Sequence, residues 1–436
     1  MASGFAPKIT SFQEGTWAYI TARDRWPKIV GKLVDHIHCS RRRFMEEYGS
    51  EADADVKNVI HALSETRYRM MTDKPLEDLK DEYYVDIGVY NKLVQDKRKE
   101  NEPLLTWYKS EWLFVECYLY RLIYGAFHQQ KHLSKYDYFG EQKRDSFKEH
   151  LRHIEESAKF TLEASTSNDV PFSFYLFLIF QSSLWGNQSD LSVSGGDAST
   201  VKHSLLEAAR ARDSYILQND VEKAIKEIIL PLKERPASHH RIDIILDNAG
   251  VELSMDLFLA DFLVHSGLVN NVILHGKKFP WFVSDVTSVD FEWTLQQMEN
   301  DEGDLKTFHE RFQEKLKSGK IAYTSHDFWT YPHAFCDMKE AAPDLYEELA
   351  KSNLLIFKGD LNYRKLVGDR YWPWNYSFEK SLCSFLPTSL LTLRTLKAET
   401  VSGLSAEAVE RMKREFGEDT KWLTSGDFAV AQLVKI

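Results

Sequence analysis

The stretch Ile242-Asp243-Ile244-Ile245-Leu246-Asp247-Asn248-Ala249-Gly250-Val251-Glu252 decides the reading of the fold. A short apolar run, 242–246, stops on an acid and an amide, and a glycine then leads into a helical pattern. Such a run reads as a strand buried on both faces of a mostly parallel sheet. Three later runs repeat the pattern. Residues 281–283 lead to Ser284 and Asp285, and residues 354–357 end on Lys358, Gly359 and Asp360. Residues 390–393 end on Arg394, Thr395 and then Lys397. In open α/β sheets, ligands bind beyond the carboxyl ends of the strands. One crevice would therefore collect acids, amides, an arginine and a lysine, which is the inventory of a metal-and-phosphate site.

Outward from this stretch, strand and helix patterns alternate. The strand 242–246 is followed by a helix at 252–265 and a strand at 272–274. A strand ending at Asp285, a helix at 291–298, a further strand at 321–323 and a helix at 343–352 come next. This alternation predicts an α/β fold with helices on both faces of the sheet. Residues 1–235 instead read as mainly helical. Leu113, Phe114, Cys117, Tyr118 and Arg121 lie in a long amphipathic segment, and Phe147, Leu151, Ile154 and Ala158 have helical spacing. Two more helices are expected at 201–211 and 221–230, before Pro231 and Pro236 break the pattern. The expected domains are 1–235 and 236–436.

The 436 residues suit two or so domains, and an apolar share of 43% suits a large core rather than disorder. A net charge of −11 argues against nucleic acid or an anionic membrane as partner through the overall field. An anionic substrate then needs a metal or local cations to reverse the sign within its site. Cys39, Cys117, Cys336 and Cys383 are far apart and form no CxxC pair. They fit reduced thiols in cytoplasm or nucleus rather than a zinc cluster or disulfide framework. Residues 1–12 lack an apolar signal core, and the longest apolar stretch, 172–180, is too short to span a bilayer. A soluble intracellular protein is expected.

Asp247, Asn248 and Asp285 offer the oxygen donors that a hard divalent cation prefers. Taken singly, the same residues read as a helix cap and routine turns. Asp360, Asn362, Tyr363 and Arg364 follow the strand at 354–357. Arg364 offers a planar fork for phosphate oxygens, Asp360 and Asn362 suit sugar hydroxyls, and Asp360 suits proton transfer. Arg394 and Lys397 bracket a strand end where cations can clamp a phosphoryl group. The bland counterparts are a polar turn and a solvated basic edge. Trp185, Gly186, Asn187 and Asp190, followed by Gly195 and Gly196, form a polar loop whose glycines permit close approach to a phosphate, a weak signal. No GxGxxG fingerprint follows a strand, and neither a GxxxxGK[ST] loop nor a G-x-S-x-G elbow occurs. His36 with His38, His239 with His240, and His326 with His333 lack zinc-site company and read as core or surface residues.

Five strings together carry a resemblance. They are Ser183-Leu-Trp-Gly-Asn-Gln-Ser-Asp190, Leu246-Asp-Asn-Ala-Gly-Val-Glu252, Pro280-Trp-Phe-Val-Ser-Asp285, Phe357-Lys-Gly-Asp-Leu-Asn-Tyr-Arg364 and Leu393-Arg-Thr-Leu-Lys397. In this order they closely resemble the damage-control phosphatases, in the subfamily marked by an Arg-Thr-x-Lys motif and also called the acidic residue methyltransferase family. The similarity extends to the helical half, at 112–121. It implies a helical N-terminal domain and a Rossmann-like, three-layer α/β/α domain. It further implies phosphatase activity on small phosphorylated metabolites, including fructose 1-phosphate and fructose 6-phosphate. Manganese, cobalt or nickel would support that activity, with magnesium a further candidate. By the same resemblance Asp247, Asn248 and Asp285 match metal ligands, while Asp360, Leu361, Asn362, Tyr363, Arg364 and Lys397 match substrate-binding positions. Asp247 and Asn248 would touch substrate as well, and Asp247, Asp285 and Asp360 would carry the chemistry.

Two other functions compete. The family's second name implies methyl transfer from S-adenosylmethionine to glutamates of a protein substrate. No Gly-rich loop of the usual cofactor-binding type follows the first strand, and that chemistry needs no metal. A non-catalytic interaction protein would use the aromatic-rich helical half as a partner surface, although such aromatics more often form core.

Overall fold

The structure, a computed structural model, describes residues 5–81, 84–99, 105–167, 171–186, 212–233 and 240–436. The helix expected at 201–211, the loop with Asn187, Asp190, Gly195 and Gly196, and also Pro236 and His239 lie outside the described residues. The chain forms two compact units. One comprises Met1–Tyr138 with Thr330–His333 and Asp369–Tyr371; the other comprises Phe139–Trp329, Ala334–Gly368 and Trp372–Ile436.

The first unit is helical. Helix Trp26–Tyr48 begins with Pro27 in its first turn, where the missing N–H costs nothing, and ends at Gly49 with φ of 89°. Its buried Val30, Leu33, Ile37 and Phe44 recur at helical spacing and face helix Ala52–Met71, which turns Val56, Val59, Leu63 and Met70 inward. Helix Trp112–His128 is buried along nearly its whole length. Such a helix can carry a charge only if it is paired there. Arg121, 0% exposed, meets Asp81 at 2.7 Å and Asp86 at 2.8 Å.

The second unit holds all the described strands: β1 Ile216–Asn219, β2 Arg241–Ile245, β3 Asn271–Gly276, β4 Ile321–Ser325, β5 Leu354–Lys358, β6 Leu390–Thr395 and β7 Ala429–Val434. Their order in one sheet is β1-β7-β6-β5-β2-β3-β4. From β6 to β4 the neighbours are parallel; β7 runs antiparallel to β6, with β1 parallel to β7. This is a mixed α/β fold with a mostly parallel sheet, as the alternating pattern predicts. Both faces of the sheet are covered. Ile242, Ile244, Leu246, Ile356, Leu391 and Leu393 join one apolar core with helices Leu151–Thr166, Phe172–Trp185 and Val251–His265. On the other face Phe357 packs with Phe335 and Phe385, at ring distances of 5.4 and 5.9 Å. Among the described residues no helix is long and apolar enough to cross a membrane.

The sheet order places the site. From β2 the chain moves outward through β3 to β4, then returns to β5 on the other side of β2 and continues to β6. The direction reverses between β2 and β5, and crevices at such reversals are where open α/β sheets bind ligands.

The structure departs from the expectations in three places. The expected boundary near residue 235 falls inside the second unit, because helices upstream of it pack against Val251–His265; Phe172 stacks on Phe262 at 4.7 Å. The segment 281–285 is not a strand. Phe282 and Val283 have φ of 44° and 70°, which no extended chain adopts, and only an isolated bridge pairs Asp285 with Asn248. The helical spacing of Phe147, Leu151, Ile154 and Ala158, expected over 145–163 as one helix, is broken at His150 into Gly140–Glu149 and Leu151–Thr166.

Candidate active site

β2 delivers Asp247 and Asn248 to the reversal point just before Gly250, whose φ of 74° starts helix Val251–His265. Asn248 donates its side-chain N–H groups to Asp247 Oδ2 at 2.7 Å and to Glu252 Oε2 at 2.8 Å. The amide oxygen of Asn248 accepts from Ser284 Oγ at 2.5 Å. The turn 281–286 is stapled to the end of β2 by its backbone. Val286 N–H donates to the Asp247 carbonyl at 2.9 Å, and Ala249 N–H donates to the Ser284 carbonyl at 2.8 Å. The bridge brings Asp285 beside Asn248. Left-handed φ at a β-branched valine costs on the order of 1–3 kcal/mol and persists only where surrounding contacts enforce it. Here those contacts include buried Trp281, whose carbonyl accepts from Asp285 N–H at 3.1 Å.

β5 supplies the other wall. Gly359, with φ of 77°, starts helix Gly359–Leu366, and a Cβ on it would lie 1.8 Å from Asp247 Oδ2. Only glycine lets the two strand ends approach this closely. Asp360 Oδ1 accepts from Arg394 Nη2 at 2.7 Å, Arg394 Nε at 2.8 Å and the Lys397 N–H at 3.2 Å. Asn362 donates to the Lys358 carbonyl at 2.7 Å and the Leu246 carbonyl at 3.2 Å, tying β5 to β2.

The site is a buried cluster of acids with cations set against them. Asp247 and Asp285 are 7% and 2% exposed, with Glu252 also buried. Burial, then the charges of Glu252 and Asp285, hold the Asp247 carboxyl well above its ordinary range, while Lys277 and Lys397 pull the other way. Burial pushes Asp285 up to about 6 against the pull of Lys277. Lys277 Nζ lies 3.4 Å from Asp285 Oδ2, and that oxygen has no hydrogen-bond partner. Buried acids in mutual repulsion, one with an unsatisfied oxygen, fit a divalent cation better than they fit each other. The all-oxygen donor set is the chemistry of a hard cation. Among the described residues no group of three His, Cys, Asp or Glu is placed to hold a metal; the expected set is two carboxylates and an amide.

The structure thus gathers Asp247, Asn248 and Asp285 with Asp360, and Lys397 is near enough for its charge to act on Asp247. Arg394 sits differently from the sequence expectation of a phosphate clamp. It is 0% exposed, stacks on the Tyr363 ring at 4.1 Å, and spends its donors on Asp360 and on the Thr400 and Ala398 carbonyls. It therefore positions Asp360 and the Lys397 backbone. Leu361, Asn362, Tyr363 and Arg364 are all buried beneath the start of their helix. Sequence reasoning missed Lys277, although it stands one residue beyond β3, where the same apolar-run-then-polar pattern occurs. It also gave no role to Gly359, whose importance depends on a close approach that no local pattern announces.

The second unit is thus a doubly covered, mostly parallel sheet with acids, an amide and cations gathered at its reversal point. A family model described as the damage-control phosphatase ARMT1-like domain matches residues 21–412. Proteins named damage-control phosphatase ARMT1 are similar to the chain over almost its whole length. The one from Danio rerio is 39% identical, covering 99% of this chain and 98% of its own; that from Mus musculus is 38% identical over 97% of each; that from Homo sapiens is 38% identical over 96% of each. A solved structure of a DUF89 family protein from Pyrococcus horikoshii is 16% identical, with a TM-score of 0.39 over 88% of this chain and 94% of that one. The chain belongs to the ARMT1-like damage-control phosphatase family.

Proposed function

We propose that this protein hydrolyses small sugar phosphates, fructose 1-phosphate and fructose 6-phosphate among them, using a divalent cation held by Asp247, Asn248 and Asp285. The observation that carries the reading is the convergence of these three donors at the sheet's reversal point, with Lys397 beside them. A bound Mn2+, Co2+ or Ni2+, with Mg2+ a further candidate, supplies Lewis acidity and charge neutralisation at the phosphoryl group.

The chain's own groups do the rest. Lys397 neutralises a phosphate oxygen, and the N-terminal turn of helix Gly359–Leu366 offers backbone N–H donors to an anion. Asp360 Oδ1 is saturated by Arg394 and Lys397, which leaves Oδ2 to accept a sugar hydroxyl or a proton. Leu361, Asn362, Tyr363 and Arg364 are buried, and the bonds from Asn362 to the Leu246 and Lys358 carbonyls fix their helix to the strand ends, by which they serve substrate binding. Asp285 serves the chemistry as a holder of the cation, which leaves Asp360 Oδ2 to take the proton of a water attacking in line.

The test is phosphate release from both fructose phosphates by purified protein, with each metal added and then chelated. Release that needs the metal is expected. No release from folded protein with any of the four metals would contradict the reading.

A further inference from the structure

Below the three proposed ligands lies a second layer of charge that the reaction does not use. Lys358 closes β5 and is 1% exposed. Its ammonium lies 2.9 Å from Asp256 Oδ1, 2.8 Å from Ser183 Oγ and 3.7 Å from Glu252 Oε1, and it also donates to the Ser183 carbonyl. Ser183 in turn donates to Asp256 at 2.6 Å. Glu252 Oε1 thus faces Lys358 while its Oε2 accepts from the Asn248 amide. These contacts form a continuous line from Ser183 through Lys358 and Glu252 to Asn248.

An asparagine side chain has two nearly isosteric ends, and only the oxygen end can bind a cation. Nothing in the shape of Asn248 selects that end. Its surroundings do: the nitrogen end has two carboxylate acceptors, Asp247 and Glu252, and the oxygen end has the Ser284 hydroxyl as donor. A carboxylate accepts only, so a flipped amide would set its oxygen against two carboxylates. Asp247 belongs to the ligand set itself, and the Ser284 hydroxyl can accept as well as donate, which leaves Glu252 as the outside selector. Lys358, 3.7 Å from Glu252 Oε1, holds that side chain in place from behind.

We infer that Glu252, held by Lys358, is a positioning residue that orients the Asn248 amide so that its oxygen is offered to the divalent cation. The inference rests on the proposed function for the identity of the ligand set. Contacts behind a ligand of this kind typically change metal affinity by about 10–100-fold when removed.

The test is a cycle of variants read by titration calorimetry with Mn2+ alone, no substrate present. Glu252→Gln should weaken Mn2+ binding by about 10–100-fold. Asn248→Asp makes the two ends of the side chain equivalent, so no orientation is left to select. In that background Glu252→Gln should not weaken binding, and relief of carboxylate repulsion should strengthen it. Lys358→Met should reproduce the Glu252→Gln loss; Lys358→Arg should recover part of it. If Lys358→Met fails to fold, the Glu252 and Asn248 pair carries the test without it. Equal loss from Glu252→Gln in both backgrounds would overturn the inference, since it would make Glu252 a ligand or a general support. Wild-type protein that binds no Mn2+ and releases no phosphate would instead overturn the proposed function, a distinguishable outcome.

Discussion

Asp247 and Gly359 face each other across the reversal point, and their separation leaves no room for a side chain at 359. A methyl group at 359 would collide with the Asp247 carboxylate and would also require a left-handed backbone. Gly359→Ala should therefore displace Asp247 by more than side-chain rotation can absorb. Misplacement of a reacting group by about 1 Å costs roughly 100-fold in rate. Turnover of a sugar phosphate should fall by about that factor, with the far-ultraviolet circular dichroism unchanged. Wild-type turnover in Gly359→Ala would show that the approach has no catalytic purpose. Lys397 presents the opposite case: it is half-buried and outside any strand or helix, so Lys397→Met should remove most activity while shifting the melting temperature little. The roles of Asp247, Asn248 and Lys397 could be posed from sequence because each ends an apolar run. Arg394 looked the same by that criterion, but its donors turn inward. A run-ending charge marks a position, and only packing decides which way the side chain faces.

At the scale of elements, helix Val251–His265 and strand β5 meet through a buried ion pair rather than apolar contact alone. Asp256 is pushed up to about 6, chiefly by burial, with Lys358 opposing. A carboxyl with a raised folded value binds a proton more readily folded than unfolded. Its contribution therefore favours folding at low pH and is lost as pH rises from about 4 to about 6. Asp256→Asn should flatten the melting temperature across that window relative to wild type, by a few degrees at most. An unchanged slope would mean that Asp256 titrates normally. Strands β2 to β6 and helix Val251–His265 were legible in the sequence, because continuous apolar runs of strand length separated by helical periods admit few other readings. The turn 281–285 was not: Trp281, Phe282 and Val283 have the composition of a strand, and their left-handed backbone is imposed by stapling to β2. Strand β7 shows the same apolar signal, yet its antiparallel pairing with β6 depends on a partner that local sequence does not name.

Across the whole molecule, the two units rest on different physics. The second relies on a sheet sealed on both faces by close-packed apolar side chains. The first places a guanidinium in the middle of its most buried helix, with Asp81 and Asp86 as carboxylate partners. Breaking one side of such a pairing leaves buried charges uncompensated and costs about 3–5 kcal/mol. Arg121→Met should lower stability by that order in denaturant titration; a loss under about 1 kcal/mol would show that the acids are hydrated or neutral. The position of the domain boundary was hidden from sequence because helices 140–185 share their period with the helices before them. What assigns them to the second unit is the apolar surface of Val251–His265, which is buried on every side and needs covering. Family membership follows from strings spread over both halves, and the geometry explains why three of them matter: they bring Asp247, Asp285 and Gly359 together where the sheet reverses.

The central claim is that Asp247, Asn248 and Asp285 jointly hold one divalent cation. The most direct measurement is anomalous scattering from a crystal soaked in Mn2+. A single peak at coordinating distance from all three side chains is expected, lost in Asp285→Ala while the fold is kept. A peak elsewhere in the molecule, or none in folded protein at saturating Mn2+, would contradict the account.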